Sequence, residues 1–361
     1  MAKLFGKSEL AFFEKYINNA APTGYEWNGQ KIWLDFIREY IDTHQVDNYG
    51  TVYGIINPEA PFKVVIEAHA DEISWYVSYI TEDGFIYVKR NGGSDHMIAP
   101  SKRVNIHTKK GFVPAVFGWP AIHTRRGGTK DPELRTDTIF LDCGAKSKEE
   151  VLKMGIHVGS VITYQDEFTV LNKKYAVGRA LDNRAGGVVI ALVAKMLKDN
   201  KKKLPFGLYI VNSVQEEVGL RGAEMITQTI KPNVAIVTDV AHDTTTPMIN
   251  KKSEGDFKCG KGPIVTYGPA VHNKLLDLII DTAEDKKIPF QRDAASRATG
   301  TDTDAFAYSN GGVPSALISF PLRYMHTTVE MVELEDMENA ARLIYETLLK
   351  LTPDFNFKYL D

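Results

Sequence analysis

Apolar residues in this chain follow two different periods, and the change between them divides it. Leu10, Phe12, Phe13 and Tyr16 form a helical stripe near the N-terminus, with Ser8 placed to cap it and Glu9 in its first turn. The break Ala21-Pro22-Thr23-Gly24 ends that helix, and Ile32, Leu34, Phe36, Ile37 and Tyr40 predict a second. A hairpin-like stretch at 48–54 precedes Val64-Val65-Ile66-Glu67-Ala68-His69, a short apolar run that predicts a buried strand of an α/β sheet. From about residue 74 to 164 the period shortens to alternation, as in Tyr76-Val77-Ser78-Tyr79-Ile80 and Phe85-Ile86-Tyr87-Val88. One helix is expected there, at 148–154 behind Ser147. Strands and helices then resume in turn: helix 185–197, strand 206–214, short helix 223–229, strand 234–238, helix 275–285, strand 315–320 and a long helix 334–351.

Strand and helix in succession predict a mixed, mainly parallel sheet with helices on both faces. The alternating stretch interrupts it, so residues 1–73 and 165–361 are expected to form one discontinuous domain and residues 74–164 an inserted β-rich one. The 361 residues are ample for this. Cys143 and Cys259 are the only cysteines, which argues against a disulfide framework or a cysteine zinc knuckle and favours a reducing compartment. A formal net charge of -3 lacks the basic footprint of a nucleic-acid binder, and Lys201-Lys202-Lys203 reads as a solvated connector. The first residues lack a secretory apolar stretch, and nowhere do eighteen apolar residues run together. A soluble cytoplasmic protein without nucleic-acid or membrane partners is expected.

Chemistry enters at the strand ends. Glu216 and Glu217 follow the 206–214 strand and precede Gly219-Leu220-Arg221-Gly222; adjacent carboxylates point apart, so one can hold a metal while the other moves a proton. Alone, the pair reads equally as a surface acidic loop. His69 and Asp71, two apart at a strand end, fit an imidazole oriented by a carboxylate. Asp182 could be a helix cap, Asp239 an Asx turn and His326 an ordinary polar residue. Yet His69, Asp182, Glu217, Asp239 and His326 all fall where open α/β sheets build their sites. Two histidines and three carboxylates suit two zinc-like ions sharing one aspartate, which would lower the pKa of a common water and polarise a carbonyl. Glu216 would take that water's proton.

The segments Glu67-Ala68-His69-Ala70-Asp71-Glu72, Gly178-Arg179-Ala180-Leu181-Asp182-Asn183-Arg184-Ala185-Gly186, Gln215-Glu216-Glu217-Val218-Gly219-Leu220-Arg221-Gly222-Ala223, Thr238-Asp239-Val240 and Tyr324-Met325-His326-Thr327 resemble those of the tetrahedral, glutamyl aminopeptidase-like dinuclear-metal peptidases, some once labelled endoglucanases. The resemblance runs over nearly the whole chain in order. It implies a zinc-peptidase type of fold, His69 and Asp239 on one metal, Glu217 and His326 on the other, and Asp182 between them. It further implies Glu216 as general base, Asp71 orienting His69, and a cis peptide at Asp182–Asn183. A PDZ-like inserted domain would mediate dimer contacts, with dimers assembling into a hollow tetrahedral dodecamer.

The expected activity is removal of N-terminal residues from peptides with a free N-terminus, through a water activated by two divalent ions, zinc first, with cobalt and manganese also suited. The alternative is a dinuclear amidase acting on N-acylated small metabolites. Neither a Gly-x-Ser-x-Gly elbow nor a cysteine nucleophile motif occurs. Gly300-Thr301-Asp302-Thr303-Asp304 departs from the family's Gly-Thr-Asp-Ala loop at Thr303, which leaves specificity near it open, and His123 has no assignable role.

Overall fold

The apolar runs expected as buried strands lie side by side at the centre of an 11-stranded sheet in the computed structural model, which describes residues 3–125 and 133–360. Residues 126–132, inside the stretch expected as an insertion, lie outside the described residues. Lys63–His69 runs parallel to both Gly207–Ser213 and Val234–His242, and the latter runs parallel to Ser315–Arg323. All of Gly207–Ser213 is buried, as an apolar run without alternation requires when both faces of a sheet are covered. Register aligns the strand ends: Ser213 sits opposite His69 and Asp239 opposite Ser319.

The sequence predicts a mixed sheet, but the flanks hold more antiparallel strands than a mainly parallel one implies. Thr43–Val46 and Val52–Ile56 form a hairpin that joins Gly207–Ser213 antiparallel, and Glu330–Glu333, Tyr175–Gly178 and Thr169–Leu171 extend the other side antiparallel. Short connections cause three of these pairings, the Thr43–Val46/Val52–Ile56, Thr169–Leu171/Tyr175–Gly178 and Ser315–Arg323/Glu330–Glu333 pairs, because reversing the chain within a few residues leaves only antiparallel pairing, whereas parallel strands need a crossover. The sheet is therefore mixed, with a parallel centre of four strands. Ile264–Tyr267 and Gln291–Ala294, short and partly polar, gave no strand signal in the sequence.

The Leu181–Asp199 helix is buried along most of its length and packs on Lys63–His69 and Val234–His242. Its small residues permit close approach: the Trp33 indole donates to the Gly187 carbonyl at 2.8 Å, and a Cβ at Gly187 would meet Asn212 Oδ1 at 3.0 Å. This helix starts four residues earlier than its apolar stripe indicates, with Asp182 and Asn183 in non-helical conformations and a cis peptide between them. Helix Lys7–Asn18 is capped by Gly6 rather than Ser8; its Glu9 carboxylate accepts from the Gly6 amide at 3.0 Å, and Ser8 falls inside the first turn.

Between Ser74 and Tyr164, six strands close into a barrel with its own apolar centre. Trp75, Ile86, Phe117 and Ile162 fill it, and the Trp75 indole donates to the Tyr164 hydroxyl at 3.1 Å. Ser147 caps the helix Lys148–Lys153 as expected, its hydroxyl accepting from the Glu150 amide, and another short helical turn, Ile122–Arg125, carries His123. Barrel and sheet are joined by polar contacts: Asn91 Nδ2 donates to the Thr23 carbonyl at 2.9 Å, and Lys102 Nζ donates to Asp166 at 2.8 Å and to the Thr328 hydroxyl.

Candidate metal and catalytic centre

Seven residues singled out from sequence converge at the ends of the central strands. His69 closes the Lys63–His69 strand, and its Nε2 stands 3.2 Å from Asp182 Oδ1. The other Asp182 oxygen, Oδ2, stands 3.3 Å from Nε2 of His326, which is in turn 3.5 Å from Glu217 Oε2. One carboxylate thus faces two imidazoles, one through each oxygen. Ligand atoms of His69, Asp182 and Asp239 lie within 4.8 Å of one another, as do those of Asp182, Glu217 and His326. The two trios share Asp182. A third trio joins His69 to Glu216 and Glu217, with Glu216 Oε2 3.7 Å from His69 Nε2.

The acidic pair owes its position to a tight loop. Gln215 and Leu220 adopt left-handed backbone, Glu216–Val218 form one 3-10 turn, and Gly219 ends it at φ 114°. The chain returns so closely that a Cβ at Gly222 would meet the Val214 carbonyl oxygen at 2.3 Å. Asp71 stands 3.3 Å from His69 Nδ1 and makes further contacts. It accepts from the amides of Glu216 and Glu217 at 3.0 and 3.2 Å and from the Thr23 hydroxyl at 2.9 Å. Glu26, which gave no signal in the sequence, accepts from the Gln215 amide at 3.3 Å and extends this carboxylate cradle. The barrel reaches the centre through Gly93, whose backbone accepts from the His326 ring and where a Cβ would stand 2.5 Å from His326 Nδ1.

A cavity of about 1130 Å³ opens over these groups, lined further by Tyr267, Arg292, Asp293, Glu254 and Thr301. Thr303, the departure in the 300–304 loop, does not line it. Its side chain is buried and takes a hydrogen bond from the Thr301 hydroxyl at 3.0 Å, while Asp304 accepts from the amides of Thr299 and Gly300. His123, in the Ile122–Arg125 turn, does not line the cavity, whereas His242, left as an ordinary histidine in the sequence, lines it.

Electrostatics mark the centre as short of positive charge. Burial alone would depress the His69 imidazole, but Glu216, Asp182 and Asp71 carry it well above its ordinary value. Burial pushes Glu216 up to about 9 and Asp239 up to about 8, with neighbouring carboxylates adding to the rise and His69 opposing it. Burial also lifts Glu217 well above the usual carboxylate range. Asp182 goes the other way: burial would raise it, but hydrogen bonds from His326 and His69 hold it below that range. Glu217 Oε1 is buried with no hydrogen-bond partner among the described residues. Oxygen and nitrogen donors with an orphaned carboxylate oxygen and excess negative charge fit divalent cations, which would reverse the raised values of His69, Glu216, Glu217 and Asp239.

The sequence profile of the M42 glutamyl aminopeptidase family matches residues 50–343. This chain belongs to that family. It is a hydrolase acting on peptides, and the family is metal-dependent. The chain is 32% identical to a lysyl aminopeptidase of Pyrococcus furiosus over 343 residues, covering 94% of this chain and 96% of that one. An aminopeptidase structure from Desulfurococcus kamchatkensis superposes with a TM-score of 0.87 at 33% identity, covering 96% of each chain. The TET1 peptidase of Pyrococcus horikoshii, described as assembling into a tetrahedron or a large octahedral shell, superposes with a TM-score of 0.83 at 26% identity, covering 95% of this chain and all of that one. The family's description gives no support to the deacylase alternative.

Proposed function

We propose that the chain is an aminopeptidase that holds two divalent ions, zinc or else cobalt or manganese, and uses Glu216 as general base. The position of Asp182 between the imidazoles of His69 and His326 carries this reading. His69 and Asp239 would hold one ion, Glu217 and His326 the other, and Asp182 both. When bound, the ions would lower the pKa of an attacking water and polarise the scissile carbonyl. Glu216 would accept the proton of the attacking water as the carbonyl carbon is attacked, and would pass it to the leaving nitrogen as the peptide bond breaks. Asp71 orients His69 and, through the amides of Glu216 and Glu217, holds ligand and base in register.

Substrates are peptides with a free N-terminus. The barrel, read as the family's PDZ-like module within residues 74–164, serves contacts between copies, and dimers build a tetrahedral dodecamer in a cytoplasmic setting; the assembly of the TET1 relative supports this part. The reading is tested with matched free and N-acetylated peptide reporters before and after chelation. Cleavage of the free peptide alone, lost on chelation and regained with added zinc, cobalt or manganese, is the expected result. Turnover that survives exhaustive chelation contradicts it.

A further inference from the structure

Glu330 gave no signal in the sequence, yet it touches the backbone of two proposed ligands at once. It opens the strand Glu330–Glu333, opposite Gly178, and is 2% exposed. Its Oε2 accepts from the Asp182 amide at 3.1 Å and its Oε1 from the His326 amide at 2.7 Å. Both amides belong to irregular backbone: Asp182 sits in the break at the start of its helix, and His326 has a left-handed φ of 62°. Neither segment has a continuous helix or strand ladder to fix it at that point, so a shared acceptor does so.

The residue type is informative. A buried carboxylate close to Asp182 is repelled by it, and a glutamine of the same length would fill the space without that repulsion. What glutamate alone offers is an acceptor at both ends for two N–H groups; a glutamine amide turns a donor toward one of them. A small cavity of about 10 Å³ is lined by Glu330 together with Asp182, Glu217 and His326, so the clamp lies directly against the proposed ligands.

We infer that Glu330 is a positioning residue that clamps the shared ligand Asp182 to the second-ion ligand His326 and so fixes the two ion sites relative to each other. This rests on the two-ion reading above. The test is zinc titration of the full-length chain stripped by chelation, followed by calorimetry and by metal analysis after dialysis, for the parent chain, Glu330→Gln and Glu338→Gln. Glu338 is a buried glutamate that accepts from the Leu4 and Phe5 amides far from the centre, so it controls for loss of a buried carboxylate as such.

Glu330→Gln should weaken one of the two ions by roughly 10- to 100-fold, the range for lost support of a metal ligand. Its turnover should recover with excess zinc while KM stays near the parent value, and Glu338→Gln should keep both affinities. Parent-like affinity for both ions in Glu330→Gln overturns the inference. Should that variant fail to fold, Glu330→Asp is read in the same titration, and parent-like affinity there overturns it equally. A parent chain that takes up fewer than two ions defeats the two-ion reading itself, a distinct result.

Discussion

The central sheet and the barrel are both built on buried apolar cores, but they serve the centre in opposite ways. The sheet supplies His69, Glu216, Glu217, Asp239 and His326 from the ends of Lys63–His69, Gly207–Ser213, Val234–His242 and Ser315–Arg323 or from the loops just beyond them, and Asp182 from the helix start that follows Tyr175–Gly178. The barrel supplies no charged group to the cavity lining among the described residues; it presents the backbone of Gly92 and Gly93 to Glu217 and His326. Side-chain chemistry therefore comes from one region and steric limits from the other. A glycine in the barrel matters to the centre as much as a ligand's support does, because only a missing Cβ lets the two regions close on each other.

Breaking each side separately sharpens that contrast. The largest effect is expected on the sheet side at Gly222→Ala, where the added Cβ would collide with the Val214 carbonyl and displace the Glu216 and Glu217 loop. Overpacking of this kind costs about 1–3 kcal/mol. Thermal denaturation should report that loss, and turnover should fall by orders of magnitude; a fully active variant would remove the loop from the account. Gly93→Ala comes next. It should leave the barrel folded, as read by circular dichroism, but push the His326 ring and weaken metal binding by roughly 10-fold or more, the scale of lost ligand orientation.

The pH response of the metal-free chain follows in size. Glu216 and Asp239 have folded values raised to about 9 and about 8, so the folded state holds protons that the unfolded chain has released. Their contribution is complete below the ordinary carboxylate value of about 4 and declines as pH rises toward 8 to 9. Chelated protein should accordingly lose melting temperature across that window, and added zinc should flatten the decline. A chelated chain that gains stability from pH 5 to 8 would contradict the charge assignment. Thr303→Ala should do least: the side chain lies behind the cavity wall, so reporter-peptide preference should be unchanged within twofold.

Much of this centre was legible because strand ends and helix starts are marked by local pattern. Strand ends and a helix entry pointed to His69, the Glu216–Glu217 pair, Asp182, Asp239 and His326 as candidates, and a family resemblance carried by five segments raised them together. What stayed hidden acts through backbone contacts between distant segments. Glu330 accepts from Asp182 and His326, Glu26 from Gln215, and Gly93 from the His326 ring. No periodicity encodes such pairings. The antiparallel flanks were hidden for a related reason, since an apolar run shows that a strand is buried but not which way its neighbour points.

The division of labour between adjacent glutamates is the central claim, and metal content measured beside rate tests it most directly. Glu216→Gln should keep two ions per chain and lose several orders of magnitude in peptide turnover, while Glu217→Gln should lose an ion along with activity. A Glu216→Gln enzyme that works at the parent rate, or one that loses an ion while Glu217→Gln keeps both, would contradict the account.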